Sequence, residues 1–373
     1  MMELRSKGKP LSFTQPIIGR ITYGLAAESS ILIDHSLDNT DVSDRHLAVL
    51  TKRSVTTHLS PIIHSIPSIQ PLSEGDVIMM LPNGIIQTLF RVNSLDNTLF
   101  TTDRCNSNCL MCSQPPKDID DIEYYYNVNH QVISLIPPTT EIIGITGGEP
   151  TLMGKRFFDM ISHINRKLPA TTIHILTNGR SFAWKNFTAR FESVNSSNLV
   201  LGIPLYSDYY VDHDYIVQAS HAFNQTVLGL QNLASIGARI ELRVVLHKLT
   251  FKRLPELAKF IFLNLPFVEQ VAFMGLEYTG YTPHNDKLLW IDPLEYADEL
   301  NIAVTYLNNN GINVSIYNHP LCLLPKSMWR FSVKSISDWK RHFLPECDRC
   351  LVKADCGGIF ATSRKVSLNI NPQ

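Results

Sequence analysis

Three cysteines that directly follow an apolar segment constrain this chain more than any other feature. The sequence TLFTTDRCNSNCLMCSQPP places Cys105, Cys109 and Cys112 in a C-x3-C-x2-C pattern, immediately after a predicted β-strand. The next cysteine is Cys322, and the nearest histidine after the triad is His130. Thiols grouped this closely, in a chain without a secretory signal, favour metal ligation over disulfide pairing.

The number of ligands in this loop indicates what they hold. An iron–sulfur cluster normally takes four cysteine ligands, so three cysteines leave one iron of a [4Fe–4S] cluster with an open coordination position. A catalytic metal centre needs such a position, because a substrate or cosubstrate must coordinate there. Structural zinc sites instead close with four ligands, usually in paired C-x2-C units. The triad therefore predicts an open [4Fe–4S] cluster, and a zinc knuckle or three unrelated buried cysteines are the alternatives.

Composition and charge exclude several classes of protein. The chain has 373 residues, of which 18% are charged, and its formal net charge is −1. The Lys and Arg residues are scattered, so no basic field attracts nucleic acid. No stretch approaches the ~20 apolar residues of a membrane span, and the amino terminus lacks the apolar segment of a signal peptide. We therefore expect a cytoplasmic protein that binds neither nucleic acid nor membrane.

Residues 1–96 contain no cysteine and favour short β-strands. The apolar runs SSILIDH, GDVIMML and GIIQTLFRV are separated by the turn signals PLSEGD and LPNG. The segment DRHLAVLTK fits either a strand or a short helix. The pattern predicts a small β-rich N-terminal domain.

From residue 97, short apolar strands alternate with longer amphipathic segments, which is the pattern of parallel βα units. The predicted strands are TLFTT, EIIGIT, TIHILT, LVLGIP, IELRVVLH and VEQVAFMG. Between them lie helical patterns such as KRFFDMISHINRKL, whose apolar residues recur at three- and four-residue spacing. The predicted fold class is therefore α/β, with a partial (β/α)6 barrel over residues 97–310 and its chemistry at the carboxyl ends of the strands.

Several predicted strands end in residues suited to binding a small molecule. The motif ITGGEPT supplies Gly147 and Gly148, which permit close backbone approach, and the carboxylate of Glu149, which accepts hydrogen bonds from an ammonium group. The motif TNGR places Asn178 at the next strand end, although Asn-Gly is also an ordinary turn signal. Arg243 lies between apolar neighbours and needs an anionic partner, either a ligand carboxylate or one of the chain's own acids.

The triad and the strand-end motifs resemble the radical S-adenosylmethionine (SAM) superfamily over roughly residues 97–310. The resemblance implies that the amino and carboxylate groups of SAM chelate the open iron. One electron from the reduced cluster then breaks the bond from sulfur to the 5′ carbon, which gives methionine and a 5′-deoxyadenosyl radical. It also implies that Glu149, with Gly147 and Gly148, meets the methionine amino group, and that Asn178 and Arg243 belong to the cofactor site.

Two positions depart from the usual pattern of this superfamily. Its members usually carry an aromatic residue before the third cysteine, where this sequence has Met111, whose polarizable thioether can lie against a purine face. Many relatives carry a serine at the position of Pro204 in GIPLYSD. The resemblance therefore shifts the expected polar contact with SAM to Ser207.

The last four cysteines form a second group within residues 311–373. Cys347, Cys350 and Cys356 follow a C-x2-C-x5-C pattern, and Cys322 lies upstream in PLCLLP. Four thiolates close one cluster completely. This region resembles the SPASM and twitch modules of radical enzymes that modify peptides, which implies a second, auxiliary [4Fe–4S] cluster. Zinc held by four cysteines is the alternative, and an isolated Cys322 is also compatible with a small buried hydrophobic residue.

The N-terminal leader, the core motifs and the CDRC…CGG tail together resemble the HxsC-type radical SAM maturases of the His-Xaa-Ser system. The resemblance implies a precursor peptide or protein with His-Xaa-Ser repeats as substrate. It further implies a second radical maturase, a small accessory protein and a flavodoxin- or ferredoxin-type electron donor as partners. A radical enzyme acting on a small molecule, a non-catalytic iron–sulfur electron carrier and a zinc-stabilised scaffold are the alternatives from other classes.

Overall fold

The structure is a computed structural model. It describes residues 5–24, 29–33, 46–56, 58, 60–68, 72–334 and 340–373.

The described residues before position 97 form eight short strands. They are β1 (Arg5–Lys7), β2 (Lys9–Leu11), β3 (Ile17–Thr22), β4 (Ile31–Ile33), β5 (Ala48–Leu50), β6 (Ile62–His64), β7 (Val77–Met80) and β8 (Ile85–Phe90). Their order in the sheet is β1-β8-β7-β3-β4-β5-β6-β2. The β-rich character expected for this part is confirmed, and DRHLAVLTK contains strand β5, while its first two residues lie outside the described ranges.

This sheet closes on itself through its first two strands. Strand β1 pairs with β8 at one edge and β2 pairs with β6 at the other, although only Gly8 separates β1 from β2. One continuous segment thus joins both edges into a small barrel, which removes the open edges of the sheet. A Cβ atom at Gly8 would lie 2.6 Å from the carbonyl oxygen of His64, so a residue without a side chain is required at this crossing.

The second sheet contains eight parallel strands in sequence order. They are β9 (Asn97–Phe100), β10 (Ile142–Thr146), β11 (Thr172–Leu176), β12 (Leu199–Pro204), β13 (Arg239–Val245), β14 (Gln270–Met274), β15 (Asn313–Tyr317) and β16 (Ser332–Val333). All six strands predicted from the sequence are confirmed, and the sheet forms an incompletely closed barrel. Strands β15 and β16 continue this sheet beyond residue 310, where the sequence pattern placed the end of the core.

Helices connect these strands and cover the outside of the sheet. They are α1 (Ile122–Leu135), α2 (Lys155–Lys167), α3 (Lys185–Glu192), α4 (Tyr210–Val217), α5 (Ala222–Ser235), α6 (Leu254–Asn264), α7 (Asp286–Leu289) and α8 (Ala297–Asn309). The apolar face predicted for α2 is confirmed, since Phe157, Ile161 and Ile164 are fully buried. Short 3-10 helices span Pro150–Met153, Arg180–Ala183, Phe251–Arg253, Pro293–Tyr296, Leu321–Leu323, Lys326–Phe331, Pro345–Arg349 and Lys353–Asp355.

The small β-barrel packs directly on the α/β unit. Val77 and Phe90 belong to the same buried apolar core as Leu99 and Val132 of the α/β unit. Such shared burial stabilises the contact by roughly 25 cal/mol for each Å² of apolar surface removed from water. The barrel is therefore a packed part of the core rather than a tethered appendage.

The end of the chain is tied to the α/β unit by polar contacts. Strands β17 (Arg341–His342) and β18 (Ile359–Phe360) form a two-stranded antiparallel sheet. Lys365 Nζ lies 2.7 Å from Asp286 of α7, and Ser367 Oγ donates to the Asp292 carboxylate at 2.7 Å. Among the described residues, no helix has the length and apolar character needed to cross a membrane.

Candidate functional site

The three triad thiols line one cavity at the carboxyl edge of the parallel sheet. This cavity, called here the cofactor cavity, has a volume of about 300 Å³. Of the residues predicted as a site, it is lined by Cys105, Cys109, Met111, Cys112, Gly148, Glu149, Asn178 and Arg243. The sequence places these residues at the ends of different strands, and the parallel sheet brings them together because all its carboxyl ends meet at one edge.

The loop that carries the triad is fixed by backbone hydrogen bonds. The N–H groups of Asn108 and Leu110 donate to the carbonyl oxygens of Val217 and Ile216, both at 2.9 Å, at the end of α4. The Cys112 carbonyl accepts from the N–H of Tyr281 at 2.9 Å. The thiol positions are therefore held by the surrounding protein, which suits ligands that must meet a rigid cluster.

Arg180 supports the same loop from the other side, and the sequence analysis missed it. Its Nη1 donates to the carbonyl oxygen of Asn106 and, at 3.0 Å, to Ser107 Oγ, while its Nε donates to Gln225 Oε1 at 2.7 Å. The charge thus sits beside the segment between Cys105 and Cys109. Arg180 is the arginine of the TNGR motif, but the motif itself does not show that this side chain folds back onto the triad loop.

The GGE motif is joined to the strand end that precedes the triad. The N–H of Gly148 donates to the Thr102 carbonyl at 2.6 Å, and the N–H of Glu149 donates to the Arg104 carbonyl at 2.8 Å. A Cβ atom at Gly148 would lie 2.1 Å from the Arg104 carbonyl oxygen. A side chain here would therefore separate the two loops, whereas glycine lets them meet. Gly147 lies in the same turn but does not line the cavity.

Glu149 is almost fully buried, with 1% of its surface exposed, and its carboxylate is heavily hydrogen bonded. Oε1 accepts from Thr177 Oγ1 at 2.6 Å and from the N–H and Oγ1 of Thr151 at 3.1 and 2.7 Å. Oε2 accepts from the N–H of Asn178 at 2.7 Å. Oε2 thus accepts one hydrogen bond whereas Oε1 accepts three, so Oε2 is the oxygen with more room for a further donor.

Burial shifts the titration of the groups around the cofactor cavity. It raises the pKa of Cys105 to about 12, with a contribution from the Glu149 charge, while Arg180 acts in the opposite direction. Burial likewise raises the pKa of Cys109 and of Cys112. Burial also raises the pKa of Glu149, against the effect of its hydrogen bonds. Metal binding must therefore displace protons from these thiols, because thiolates are the ligands.

The fourth strand contributes a residue other than the expected one. Ser207 is fully buried, and its Oγ accepts from the N–H of Tyr209 at 3.1 Å, so it does not line the cofactor cavity. Tyr206 lines the cavity instead and shares an apolar cluster with Met111. The Ser207 hydroxyl instead fixes the turn that leads into α4.

Arg243 is largely buried, and of the two partners considered, one of the chain's own acids lies near its guanidinium. Nη1 lies 3.7 Å from Glu241 Oε1, two residues away on the same strand, but makes no hydrogen bond. Nη2 donates to the Met274 sulfur at 3.0 Å. Glu241 therefore supplies a nearby countercharge, while the Arg243 side chain still lines the cofactor cavity.

The last four cysteines also come together. All of them line one small cavity, called here the C-terminal cysteine site, together with mainly apolar neighbours. The Cys356 sulfur accepts from the N–H groups of Leu321 and Gly358, both at 3.4 Å. Burial raises the pKa of Cys322, and the nearby thiols of Cys356 and Cys347 act in the same direction. Cys322 is therefore a neighbour of the other three cysteines.

The donor sets fit iron–sulfur clusters by number and chemistry. Three thiols line the cofactor cavity and four line the C-terminal cysteine site. Within the described ranges, no three Cys, His, Asp or Glu side chains form a group arranged for a single metal ion. The fit of these residues to iron–sulfur clusters therefore depends on their sulfur donors, which are soft ligands, and on their grouping around the two cavities.

No protein-family model matches the chain, and no curated protein matches it. It is similar to the solved structure of Streptococcus suis SuiB bound to S-adenosylmethionine, with 15% identity, 62% of this chain and 52% of that chain covered, and a TM-score of 0.49. It is also similar to coproporphyrinogen III oxidase (HemN) from Escherichia coli, described as a radical SAM enzyme, with 11% identity, 58% and 53% covered, and a TM-score of 0.45.

A third similar structure is a radical SAM methyltransferase from Sphaerobacter thermophilus, with 13% identity, 65% of this chain and 72% of that chain covered, and a TM-score of 0.45. The matched region spans only about half of the SuiB and coproporphyrinogen oxidase chains. Two of these three structures are described as radical SAM enzymes, and the third holds SAM.

Proposed function

We propose that this protein is a radical SAM enzyme whose open [4Fe–4S] cluster is held by Cys105, Cys109 and Cys112. The observation that carries the proposal is the cofactor cavity itself. Three thiols line it, no fourth cysteine lines it, and charged side chains from other strand ends face the same space. A cluster with one position for an amino acid ligand, next to a carboxylate and a guanidinium, is what binding of SAM requires.

When bound and reduced, the cluster supplies the electron that cleaves SAM to methionine and the 5′-deoxyadenosyl radical. Glu149 Oε2 receives a hydrogen bond from the amino group of SAM. The Arg243 guanidinium lies across the same cavity, where it attracts the carboxylate. Tyr206 and Met111 provide the apolar wall against which a purine can pack and from which water is excluded.

We further propose that the substrate is a ribosomally made peptide or protein with His-Xaa-Ser repeats. The support is the sequence resemblance to the HxsC-type maturases, together with the four grouped cysteines of the C-terminal cysteine site, which we assign to an auxiliary [4Fe–4S] cluster. The same resemblance supports a second radical maturase, a small accessory protein and a flavodoxin- or ferredoxin-type donor as partners. We also propose the cytoplasm as its location, as the sequence analysis leads us to expect.

Anaerobic turnover tests the enzyme proposal. Reconstituted protein with dithionite and SAM should release 5′-deoxyadenosine slowly without substrate, and Cys105→Ala should abolish this release. Iron-loaded wild-type protein that neither binds SAM nor releases 5′-deoxyadenosine would instead be an electron carrier.

Mass spectrometry tests the substrate proposal. A precursor peptide with His-Xaa-Ser repeats, co-produced with the protein, should lose hydrogen or gain a bond only when Cys105 is intact. Unchanged peptide from a strain whose protein cleaves SAM would reject this substrate and favour a small molecule.

A further inference from the structure

A second cavity adjoins the cofactor cavity. This chamber, called here the side chamber, has a volume of about 430 Å³, which lies in the range of ligand-binding pockets. It shares eight lining residues with the cofactor cavity, among them Arg243, Met274 and Phe360. A group held in the side chamber therefore lies beside whatever occupies the cofactor cavity.

The small β-barrel contributes to the side chamber but not to the cofactor cavity. The end of β8 lines the side chamber with Thr88, Leu89 and Phe90, and the turn to β9 adds Arg91, Ser94 and Asp96. The residues that line the cofactor cavity all lie at or after Cys105. This turn is thus placed to contact a molecule next to SAM and not SAM itself.

The turn is held in place by a network of hydrogen bonds. Asn97 Oδ1 accepts from the N–H of Arg91 at 2.7 Å, and its Nδ2 donates to the carbonyl oxygens of Arg91 and Ser94, both at 2.9 Å. The Asp76 carboxylate accepts from the N–H of Val92 at 2.9 Å. Phe90, only 3% exposed, anchors the turn in the shared apolar core. A wall fixed in this way costs little ordering entropy when a ligand binds.

The lining of the side chamber suits a peptide segment. Leu89, Leu176 and Met274 offer apolar surface, while Ser94, Thr98 and Gln114 offer uncharged donors and acceptors. Such a mixture can satisfy the N–H and C=O groups of a main chain and pack against its side chains. Lys340 and Phe360, from the C-terminal part of the chain, also line the side chamber.

We propose that the side chamber binds the substrate as a short peptide segment, and that Leu89, at the end of β8, selects which residue lies next to the cofactor cavity. This inference rests on the proposed function. It gives the small β-barrel a role in substrate selection that cofactor binding does not require.

Peptide affinity in the full-length, cluster-loaded and unreduced protein tests the proposal. The probe is a synthetic peptide with several His-Xaa-Ser repeats, and binding is followed by calorimetry in the presence of SAM. Leu89→Trp narrows the chamber beside the cofactor cavity and should weaken peptide binding about tenfold or more, because the added ring competes for the same volume. The affinity for SAM, measured separately, should change by less than about twofold.

Leu95→Trp is the matched control. Leu95 lies in the turn that follows β8, is 65% exposed and does not line the side chamber, so its replacement should leave peptide affinity unchanged. If Leu89→Trp prevents folding, Leu89→Ala provides the test instead. It enlarges the chamber without adding a bulky side chain. It should change peptide affinity by about threefold or more in a variant that still loads iron.

The outcomes separate this inference from the proposed function. Equal peptide affinity of wild type, Leu89→Trp and Leu89→Ala overturns the side chamber as the substrate site, as does a wild type that binds no peptide. Wild-type protein that binds the peptide through Leu89 but releases no 5′-deoxyadenosine on reduction supports the chamber and overturns the enzyme proposal.

Discussion

The two cysteine sites differ in the number of thiols and in what surrounds them. The triad borders a cavity of about 300 Å³ into which Glu149 and Arg243 also face. The C-terminal cysteine site has four thiols among mainly apolar neighbours such as Leu321 and Leu344. Because four thiolates complete a cluster and three do not, the proposed function expects the first site to admit a small molecule and the second to hold its cluster without one.

The two sites nevertheless lie on opposite sides of one short strand. On β18, Phe360 lines the cofactor cavity, whereas its neighbour Ile359 lines the C-terminal cysteine site. Successive side chains of a strand point to opposite faces, so this strand borders both sites. The two sites are therefore neighbours, and each has its own set of cysteines.

The largest effect should come from removing each ligand set in turn. Reconstituted wild-type protein should hold about eight irons per chain, and replacing the three triad cysteines by Ala should remove about four, together with all cleavage of SAM. Cys350→Ala should spare some uncoupled release of 5′-deoxyadenosine but stop peptide modification. Iron that stays near four in the wild type, with stoichiometric zinc, would contradict the assignment of the C-terminal cysteine site.

Much of the triad site could be predicted because its signals are local in sequence. Strand β10 ends directly before the GGE motif, and the parallel sheet guarantees that such strand ends meet. The closure of the small β-barrel was not predictable in this way. It depends on three-residue strands around Gly8 that pair with β8 and β6, both more than fifty residues away, and no local period reveals such pairings.

Long-range contacts also explain the other differences. Arg180 reaches Asn106 across the sheet edge, which only the folded chain shows. The pattern of GIPLYSD could not show that the hydroxyl of Ser207 points into its own turn. Strands β15 and β16 were not predicted, because both lie after residue 310. The sequence analysis ended the core there and assigned the following residues to the region of the last four cysteines.

A second prediction sharpens the claim that the cofactor cavity binds SAM. Glu149→Ala should weaken SAM binding roughly ten- to a hundredfold, since a charge-assisted hydrogen bond contributes ~1.5–3 kcal/mol. Equilibrium binding to the cluster-loaded protein measures the effect. The iron content should fall little, because Glu149 is not a metal ligand in this account. Glu277→Ala is a control that removes a carboxylate lining the same cavity but bound by Lys340 and Thr362.

A smaller effect should distinguish the clusters by their electrostatic surroundings. Arg180→Gln removes a positive charge beside the triad loop and should lower the reduction potential of that cluster alone, by about 1 kcal/mol or about 40 mV for a one-electron couple. Redox titration followed by electron paramagnetic resonance measures both clusters. Arg239→Gln, at the amino end of β13, should change neither potential. Equal shifts at both clusters would show that Arg180 does not act locally.

The smallest predicted effect is on the stability of the folded protein at acid pH. His247 is fully buried, its ring nitrogens have no hydrogen-bond partner among the described residues, and burial lowers its pKa to about 4. The unfolded state takes up a proton near pH 6.5, whereas the native state does so only near pH 4, so stability falls as the pH drops through this window. His247→Phe should reduce this fall in the melting temperature. An identical pH profile for variant and wild type would contradict the burial argument.

The open iron of the triad is tested most directly by the electron paramagnetic resonance of a protein that keeps only this cluster. Cys347→Ala with Cys350→Ala removes the second cluster, and dithionite reduces the first. Adding SAM should change the g values of the remaining [4Fe–4S] signal, because the amino and carboxylate groups of SAM bind its open iron. A fully loaded, reduced cluster whose signal is the same with and without SAM would contradict the account.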